Sequence, residues 1–164
     1  MQMLGRVVRA LNVTGGVLAG VAMVLMMAHI TIEVAARYFF NARIVGTLEV
    51  VSFYYMVFLV FLAFGYVEAR REHIRVDLFA QMMPAPVQLI LYIFACLLGL
   101  WFFGMLFWQS LHDALSAMNR NERAMANFRF YIWPARWALP IGFGSLCLAI
   151  LANLLTSIGQ RRAL

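Results

Sequence analysis

Residues 87–111 read VQLILYIFACLLGLWFFGMLFWQSL, and this stretch contains no charged side chain. A helix of roughly 20 apolar residues crosses the hydrocarbon core of a bilayer, which is about 30 Å thick. Backbone N–H and C=O groups find no water in that core, so they must bond to one another within the segment. The stretch therefore predicts a transmembrane helix.

Three further stretches carry no charged side chain, and each is long enough to span a membrane. They lie between Arg9 and Glu33, between Glu49 and Glu68, and between Arg136 and Arg161. The alternation of period two that is typical of a membrane barrel is absent. We predict an all-α integral membrane protein, a single domain over residues 1–164. Its four spans are Ala10–Ala36, Leu48–Ala69, Val87–Leu111 and Trp133–Ile158.

The composition agrees with a membrane protein. Hydrophobic residues make up 65% of the chain and charged residues only 12%, which is too little polar surface for a soluble domain. Arg6 and Arg9 precede the first apolar run, as basic residues do in a signal peptide. That run outlasts the apolar region of roughly 7–15 residues in such peptides, so we expect an uncleaved anchor.

The formal net charge is +6, and every basic residue is an arginine. The arginines flank the predicted spans, so membrane lipids rather than nucleic acid are the expected partners. Nearly equal numbers of arginines flank the two faces, which leaves the orientation open. Because the number of spans is even, both termini are expected on the same side of the membrane.

The predicted connections differ in character. Loop one, residues 37–47, is short and contains Asn41 and Gly46. Loop two, residues 68–86, begins with a dense charged run and continues with apolar residues, a pattern typical of an amphipathic helix at the membrane interface. Loop three, residues 112–132, alternates polar and apolar residues and predicts a second surface helix.

Glu33 is the first candidate for a functional residue, because an ionisable side chain within a span is often functional. A single embedded glutamate is the coupling residue of very small antiporters, so a self-sufficient antiporter is one alternative. Arg37 follows at the i+4 position, which favours an ion pair along the helix. The pair favours a structural role near the headgroups.

The histidines give a second alternative. His29 and His112 are predicted near the same membrane face, and two histidines on facing helices could ligate a haem in a membrane anchor. An intramembrane histidine that is simply hydrogen-bonded is the more common case. His73, in the charged part of loop two, is expected to be a turn or docking residue.

Small residues indicate where helices approach closely. Gly16 and Gly20 form a GxxxG motif in span one, and Gly142 and Gly144 lie in span four. These four glycines are candidates for helix packing, inside the chain or against a partner. The chain contains no glycine-rich phosphate loop, no GxSxG motif and no paired metal ligands, so no enzymatic activity is expected.

Three segments carry a resemblance to a known family. Residues 36–41 read ARYFFN, Glu49 opens the second span, and residues 71–78 read REHIRVDL. In this order on a four-span chain they resemble the small membrane subunit of TRAP transporters, the DctQ-like family, as does the weaker match WALP at residues 137–140. The chain departs from the usual pattern at residues 44–48, where relatives commonly have a tryptophan and a second acidic residue, and at Glu72.

The resemblance implies a non-catalytic scaffold in the bacterial inner membrane, with both termini in the cytoplasm. Its partners would be a large multi-span subunit and a periplasmic solute-binding protein, which the small subunit could help to dock. The large subunit would carry the substrate and sodium sites, so no cofactor is expected in this chain. The transported compounds would be organic acids such as dicarboxylates, sialic acid or sugar acids.

The same segments supply candidate residues for subunit contacts. We hypothesise that Arg37 and Glu49 pair across the outer turn, and that His73 and Asp77 fix the inner loop by capping or by bonds to the large subunit. Helix-end anchoring is the alternative role for these residues. The full set is Glu33, Arg37, Tyr38, Asn41, Glu49, Arg71, His73 and Asp77.

Overall fold

The computed structural model describes residues 2–42, 44–70, 84–123 and 130–160. Within these ranges the elements are helical, and the one pairing of extended residues is an isolated antiparallel bridge between Arg123 and Tyr131. Four helices are long and apolar enough to cross a membrane. The prediction of four helices that are long and apolar enough to span a membrane is therefore confirmed.

The helices extend beyond the predicted spans at several ends. Span one is the helix Gln2–Phe40 and span three is the helix Ala85–Asn119. Span two consists of three consecutive helical segments, Thr47–Val50, a π-helical turn at Val51–Tyr55, and Met56–Arg70. Span four consists of Trp133–Arg136 and Ala138–Gln160.

Span four is the centre of the helix packing. Span two packs along span one and along span four, and span four also contacts span one. Span three packs chiefly against span four. As a result, 50% of the most apolar segment of span four is buried inside the chain, against 0% for span three. Spans one, two and four form the core, and span four joins span three to it.

An aromatic cluster ties span four to both of its neighbours. Phe143 of span four lies with its ring centroid 5.4 Å from that of Phe61 and 6.0 Å from that of Phe64, both in span two. On its other side, the ring of Phe103 in span three stacks at 6.3 Å. Such ring pairs stabilise packing by about 0.5–1.5 kcal/mol beyond the area they bury.

Two buried glycines let spans one, two and four approach closely. A Cβ added at Gly142 would lie against the backbone carbonyl of Phe61, 2.8 Å from its carbon atom. A Cβ added at Gly65 would meet the side chains of Asn12 and Ser145. Between helices in lipid there is little hydrophobic driving force, so such close contacts contribute much of the packing energy.

The other glycines predicted to pack helices differ from one another. A Cβ at Gly16 would lie 2.7 Å from the ring of Tyr66, and one at Gly144 would lie 3.1 Å from the ring of Phe107. Both glycines therefore pack helices within the chain. Gly20 has no neighbouring atom within 4 Å of such a Cβ. In the GxxxG motif of span one, Gly16 therefore packs against another helix of the chain. Gly20 is open to a partner or to lipid.

Loop one is shorter than predicted because span one continues through Arg37 to Phe40. Asn41 ends the helix in the left-handed region, with φ of 49°, a conformation that asparagine tolerates better than most residues. Gly46, with φ of 96°, starts span two. The turn between the two spans is therefore set by one asparagine and one glycine.

The surface helix predicted in loop three is wrong for residues 112–119, which continue the helix of span three to Asn119. No glycine or proline interrupts this segment, and Ala114 and Ala117 are buried on one side of it. The chain then turns at Arg120 and Asn121. The interfacial helix predicted in loop two falls on residues 71–83, outside the described residues.

The close approach of spans two and four gives a stability prediction. Gly142→Ala should lower the free energy of unfolding by about 1–3 kcal/mol, because the new methyl group overlaps the backbone of Phe61. Thermal unfolding of the purified chain in mild detergent measures this change. Gly20→Ala is the matched control, with no loss expected. Equal melting temperatures for Gly142→Ala and wild type would contradict the packing described for span four.

Candidate functional site

Polar contacts mark the two ends of the helix bundle. At one end, which we call the loop end, the hydroxyl of Tyr54 in span two donates a hydrogen bond to the carbonyl of Tyr131 in loop three. At the other end, which we call the cavity end because a cavity lies there, the amide of Asn153 in span four donates a hydrogen bond to the carboxylate of Glu68 in span two at 3.0 Å. Loops one and three thus belong to the same end of the bundle.

The predicted ion pair between Glu33 and Arg37 forms in span one near the loop end. Glu33 is only 7% exposed, whereas the guanidinium of Arg37 reaches the surface. Arg37 therefore does not pair with Glu49 across the outer turn, and Glu49 has no hydrogen bond or ion pair to any described residue. A self-sufficient antiporter would need an unpaired glutamate, and this carboxylate is paired.

The last turn of span one presents aromatic side chains at the loop end. Tyr38 is 82% exposed and Phe40 is 81% exposed, with Phe39 between them. Leu48, at the start of span two, is exposed beside the turn. We call these four residues the aromatic patch. An exposed apolar group at a membrane interface either meets headgroups or covers a partner.

Loop three is held against span two by contacts that no pattern in the sequence predicts. The ring of Phe130 lies 5.9 Å from the rings of Phe53 and Tyr54. The guanidinium of Arg123 stacks 5.0 Å over the ring of Tyr131 and donates a hydrogen bond to its hydroxyl at 3.1 Å. These contacts hold the described part of loop three in a defined position at the loop end.

A second ion pair connects loop three to the start of span four. Arg136 donates to the carboxylate of Glu122 at 2.7 Å, and the backbone N–H of Ile132 donates to the carbonyl of Glu122 at 3.0 Å. The two residues are fourteen positions apart. Sequence spacing could not reveal this pair, because it depends on the turn between the two spans.

The two histidines of the haem alternative have different aromatic neighbours. The ring of His29 meets that of Tyr55 in span two edge-on at 5.9 Å, and His112 lies beside Trp108 of its own span. Span three packs chiefly on span four, so it is not the facing helix that a shared haem needs. Among the described residues, no group of three potential ligands could hold a metal ion.

An apolar groove of about 650 Å³ runs along spans three and four, and Leu11 of span one also lines it. Gly104 forms part of its floor, and a Cβ there would meet no atom within 4 Å. Aromatic and aliphatic side chains form the walls. They are Leu100, Phe107, Leu111, Trp137, Ile141 and Leu148. Small residues in such a groove allow the backbone of another helix to approach closely.

The remaining predicted contact residues add no further contact among the described residues. Arg71, His73 and Asp77 lie outside the described residues. Asn41 is exposed, and its observed role is to end span one. The structure therefore brings together only the Glu33–Arg37 pair from the predicted set, with Tyr38 beside it in sequence at the same end of the bundle.

Comparison with known proteins agrees with this architecture. Residues 26–160 match the family model described as tripartite ATP-independent periplasmic transporters, DctQ component. The match covers span one from residue 26 to its end, the three other spans and the described parts of loops one and three. No curated protein matches the chain.

The buried carboxylate of Glu33 gives a second stability prediction. Arg37→Ala should lower the free energy of unfolding by about 1–2 kcal/mol, because it leaves a buried charge without its partner. Adding Glu33→Gln should recover most of that loss, since the charge is then gone. Thermal unfolding in detergent separates the two variants, and Arg120→Ala, which removes an exposed arginine, is the control. A double variant less stable than Arg37→Ala would show that the charge of Glu33 is held by something else.

Proposed function

The chain belongs to the DctQ component family of the tripartite ATP-independent periplasmic transporters, and we propose that it forms the static scaffold of such a transporter in the membrane. It is the small membrane subunit of this kind of transporter. The family implies two partners, a large membrane subunit and a solute-binding protein. Four membrane-capable helices and the family together indicate a multi-pass inner-membrane protein.

The observation that carries the scaffold proposal is the open side of span three. None of its most apolar segment is buried by the chain itself, and the groove along spans three and four is lined by apolar side chains. A helix of the large subunit seated in this groove would bury both surfaces. We therefore assign the groove to the large subunit.

Substrate and coupling ions fit the large subunit better than this chain. Glu33 is the one buried acidic or basic side chain among the described residues, and Arg37 already neutralises it. A chain whose one buried charge among the described residues is already paired offers little to bind a transported ion. We propose that the large subunit carries the substrate and sodium sites and that the transporter takes up organic acids with a sodium gradient.

We propose that the aromatic patch of this chain takes part in docking the solute-binding protein. It lies at the end of the bundle that holds loops one and three, which faces the periplasm if both termini are cytoplasmic. Large aromatic side chains often provide most of the binding energy of a protein interface. Arg71, His73 and Asp77 of loop two would then lie on the cytoplasmic side, where we propose that they contact the large subunit.

The test of the proposed function is co-purification. The tagged chain, expressed with the large subunit and solubilised in mild detergent, should retain a large polytopic protein in a colourless complex. Reconstituted vesicles that contain both subunits should take up an organic acid only with the solute-binding protein and a sodium gradient. Transport by the chain alone would indicate the antiporter, and a haem absorption band would indicate an electron-transfer anchor; either result would overturn the scaffold function.

A variant of the groove locates the subunit contact. Gly104→Leu should abolish co-purification of the large subunit without unfolding the chain, because an added side chain meets open space at this position. Gly20→Leu is the matched control on span one, where the position is equally open. Loss of the complex with Gly20→Leu alone would move the contact to span one.

A variant of the aromatic patch tests docking. Replacing Tyr38 and Phe40 with serine should raise by about tenfold the concentration of solute-binding protein that gives half-maximal uptake. The maximal rate should be unchanged, since the transport sites lie elsewhere. Trp108→Ser, which removes another exposed aromatic ring, controls for lipid anchoring. An equal effect of Trp108→Ser would assign the patch to headgroups rather than to docking.

A further inference from the structure

A cavity of about 580 Å³ lies at the cavity end, between spans one, two and four. This volume is within the roughly 300–1,000 Å³ that is typical of ligand sites. One part of its wall is polar and carries two guanidinium groups. The polar side chains are Arg9, Asn12, Arg70, Asn153 and Thr156, and the apolar part is formed by Val8, Val13, Ala149 and Ala152.

Asn12 is the least expected member of this wall. It is 2% exposed, and neither its amide nitrogen nor its amide oxygen has a hydrogen-bond partner in the described part of the chain. Buried polar groups are nearly always hydrogen-bonded, because leaving one unpaired costs its full desolvation energy. Asn12 therefore adds a polar side chain to the wall, with its amide atoms buried against span two.

The charge of the cavity is positive. Arg9 is exposed and makes no ion pair with a described residue. Arg70 lies with its guanidinium 5.1 Å over the ring of Tyr66, and that ring rests on the backbone at Gly16. Glu68 is the acidic group of the described chain that adjoins the wall, and its carboxylate accepts the hydrogen bond of Asn153. The guanidinium groups of two arginines therefore remain available to an anion.

The position of the cavity selects the kind of anion. Arg9 precedes the charge-free stretch of span one and Arg70 ends span two, so both lie where span ends meet headgroups. Arginine binds phosphate oxygens with strong, directed hydrogen bonds. Basic pockets between transmembrane helices bind the headgroups of acidic phospholipids. The apolar part of the wall suits the glycerol backbone and the first carbons of an acyl chain.

We propose that this cavity binds the phosphodiester headgroup of an anionic phospholipid, held by Arg9 and Arg70. The bound lipid would fill the gap between the ends of spans one, two and four. It would thereby add a stabilising contact to the core of the scaffold, at the end opposite to the aromatic patch. This assignment does not depend on which solute the transporter carries.

The experiment is native mass spectrometry of the full-length chain, alone and in complex with the large subunit, titrated with phosphatidylglycerol. Binding should saturate at one lipid and should be weaker for phosphatidylcholine. Arg9→Gln with Arg70→Gln should weaken binding of phosphatidylglycerol by about tenfold or more, because two charge-assisted contacts are lost. Arg120→Gln, which removes an exposed arginine at the loop end, should leave it unchanged.

A second variant keeps the test independent of the exposed arginines. Asn12→Asp preserves the shape of the side chain and adds a negative charge to the cavity wall, so phosphatidylglycerol should bind more weakly. The melting temperature, measured with and without this lipid, should rise with lipid for wild type and not for Asn12→Asp. An unchanged affinity in both the double arginine variant and Asn12→Asp would overturn the proposal.

Two other results would also overturn it. Inorganic phosphate that displaces phosphatidylglycerol at equal concentration would assign the site to a soluble anion. Loss of the large subunit from the Arg9→Gln and Arg70→Gln variant, with no change in lipid binding by the chain alone, would assign the cavity to an acidic segment of that subunit. Neither result would affect the groove of spans three and four, which Gly104→Leu tests separately.

Discussion

The contact between Gly142 and the backbone of Phe61 sets the distance between spans two and four, and most of the helix packing depends on that distance. In a bilayer the lipid is as apolar as the side chains, so helices associate through close van der Waals contact rather than through escape from water. Gly65 provides a second close approach beside Asn12 of span one. With the ring of Phe143 packed against both neighbouring spans, span four becomes the most buried helix.

This packing buries the four spans to different extents, which agrees with a place in a larger assembly. Spans one, two and four form a core, whereas span three is held by span four and has no fully buried residue in its most apolar segment. A self-sufficient carrier would need a polar route between its helices. Here the buried carboxylate of Glu33 is neutralised by Arg37, and the largest open surfaces are apolar, as expected for a subunit whose partner completes the structure.

Polar chemistry is confined to the two ends of the bundle, and the ends differ. At the loop end, hydrogen bonds and ring contacts from Tyr54, Arg123 and Tyr131 fix the loops and leave the aromatic patch exposed. At the cavity end, Arg9 and Asn12 lack partners in the described chain. The first end carries the surface that we propose for a protein partner, and the second carries the basic cavity that we propose for an anionic headgroup.

The sequence alone determined the four helices, because charge-free stretches of this length can only satisfy their backbone in lipid as helices. It also determined the Glu33–Arg37 pair, since a spacing of four residues brings both side chains to one face of a helix. The continuation of span three to Asn119 was missed, because alternating polarity resembles a separate surface helix when the supporting contacts of Ala114 and Ala117 are unknown. Only the tertiary structure decided which glycines pack, that Glu122 pairs with Arg136, and that Arg9 and Arg70 share a cavity. Those facts depend on how helices distant in sequence lie against one another, and in lipid this is set by the fit of their surfaces rather than by a hydrophobic pattern along the chain.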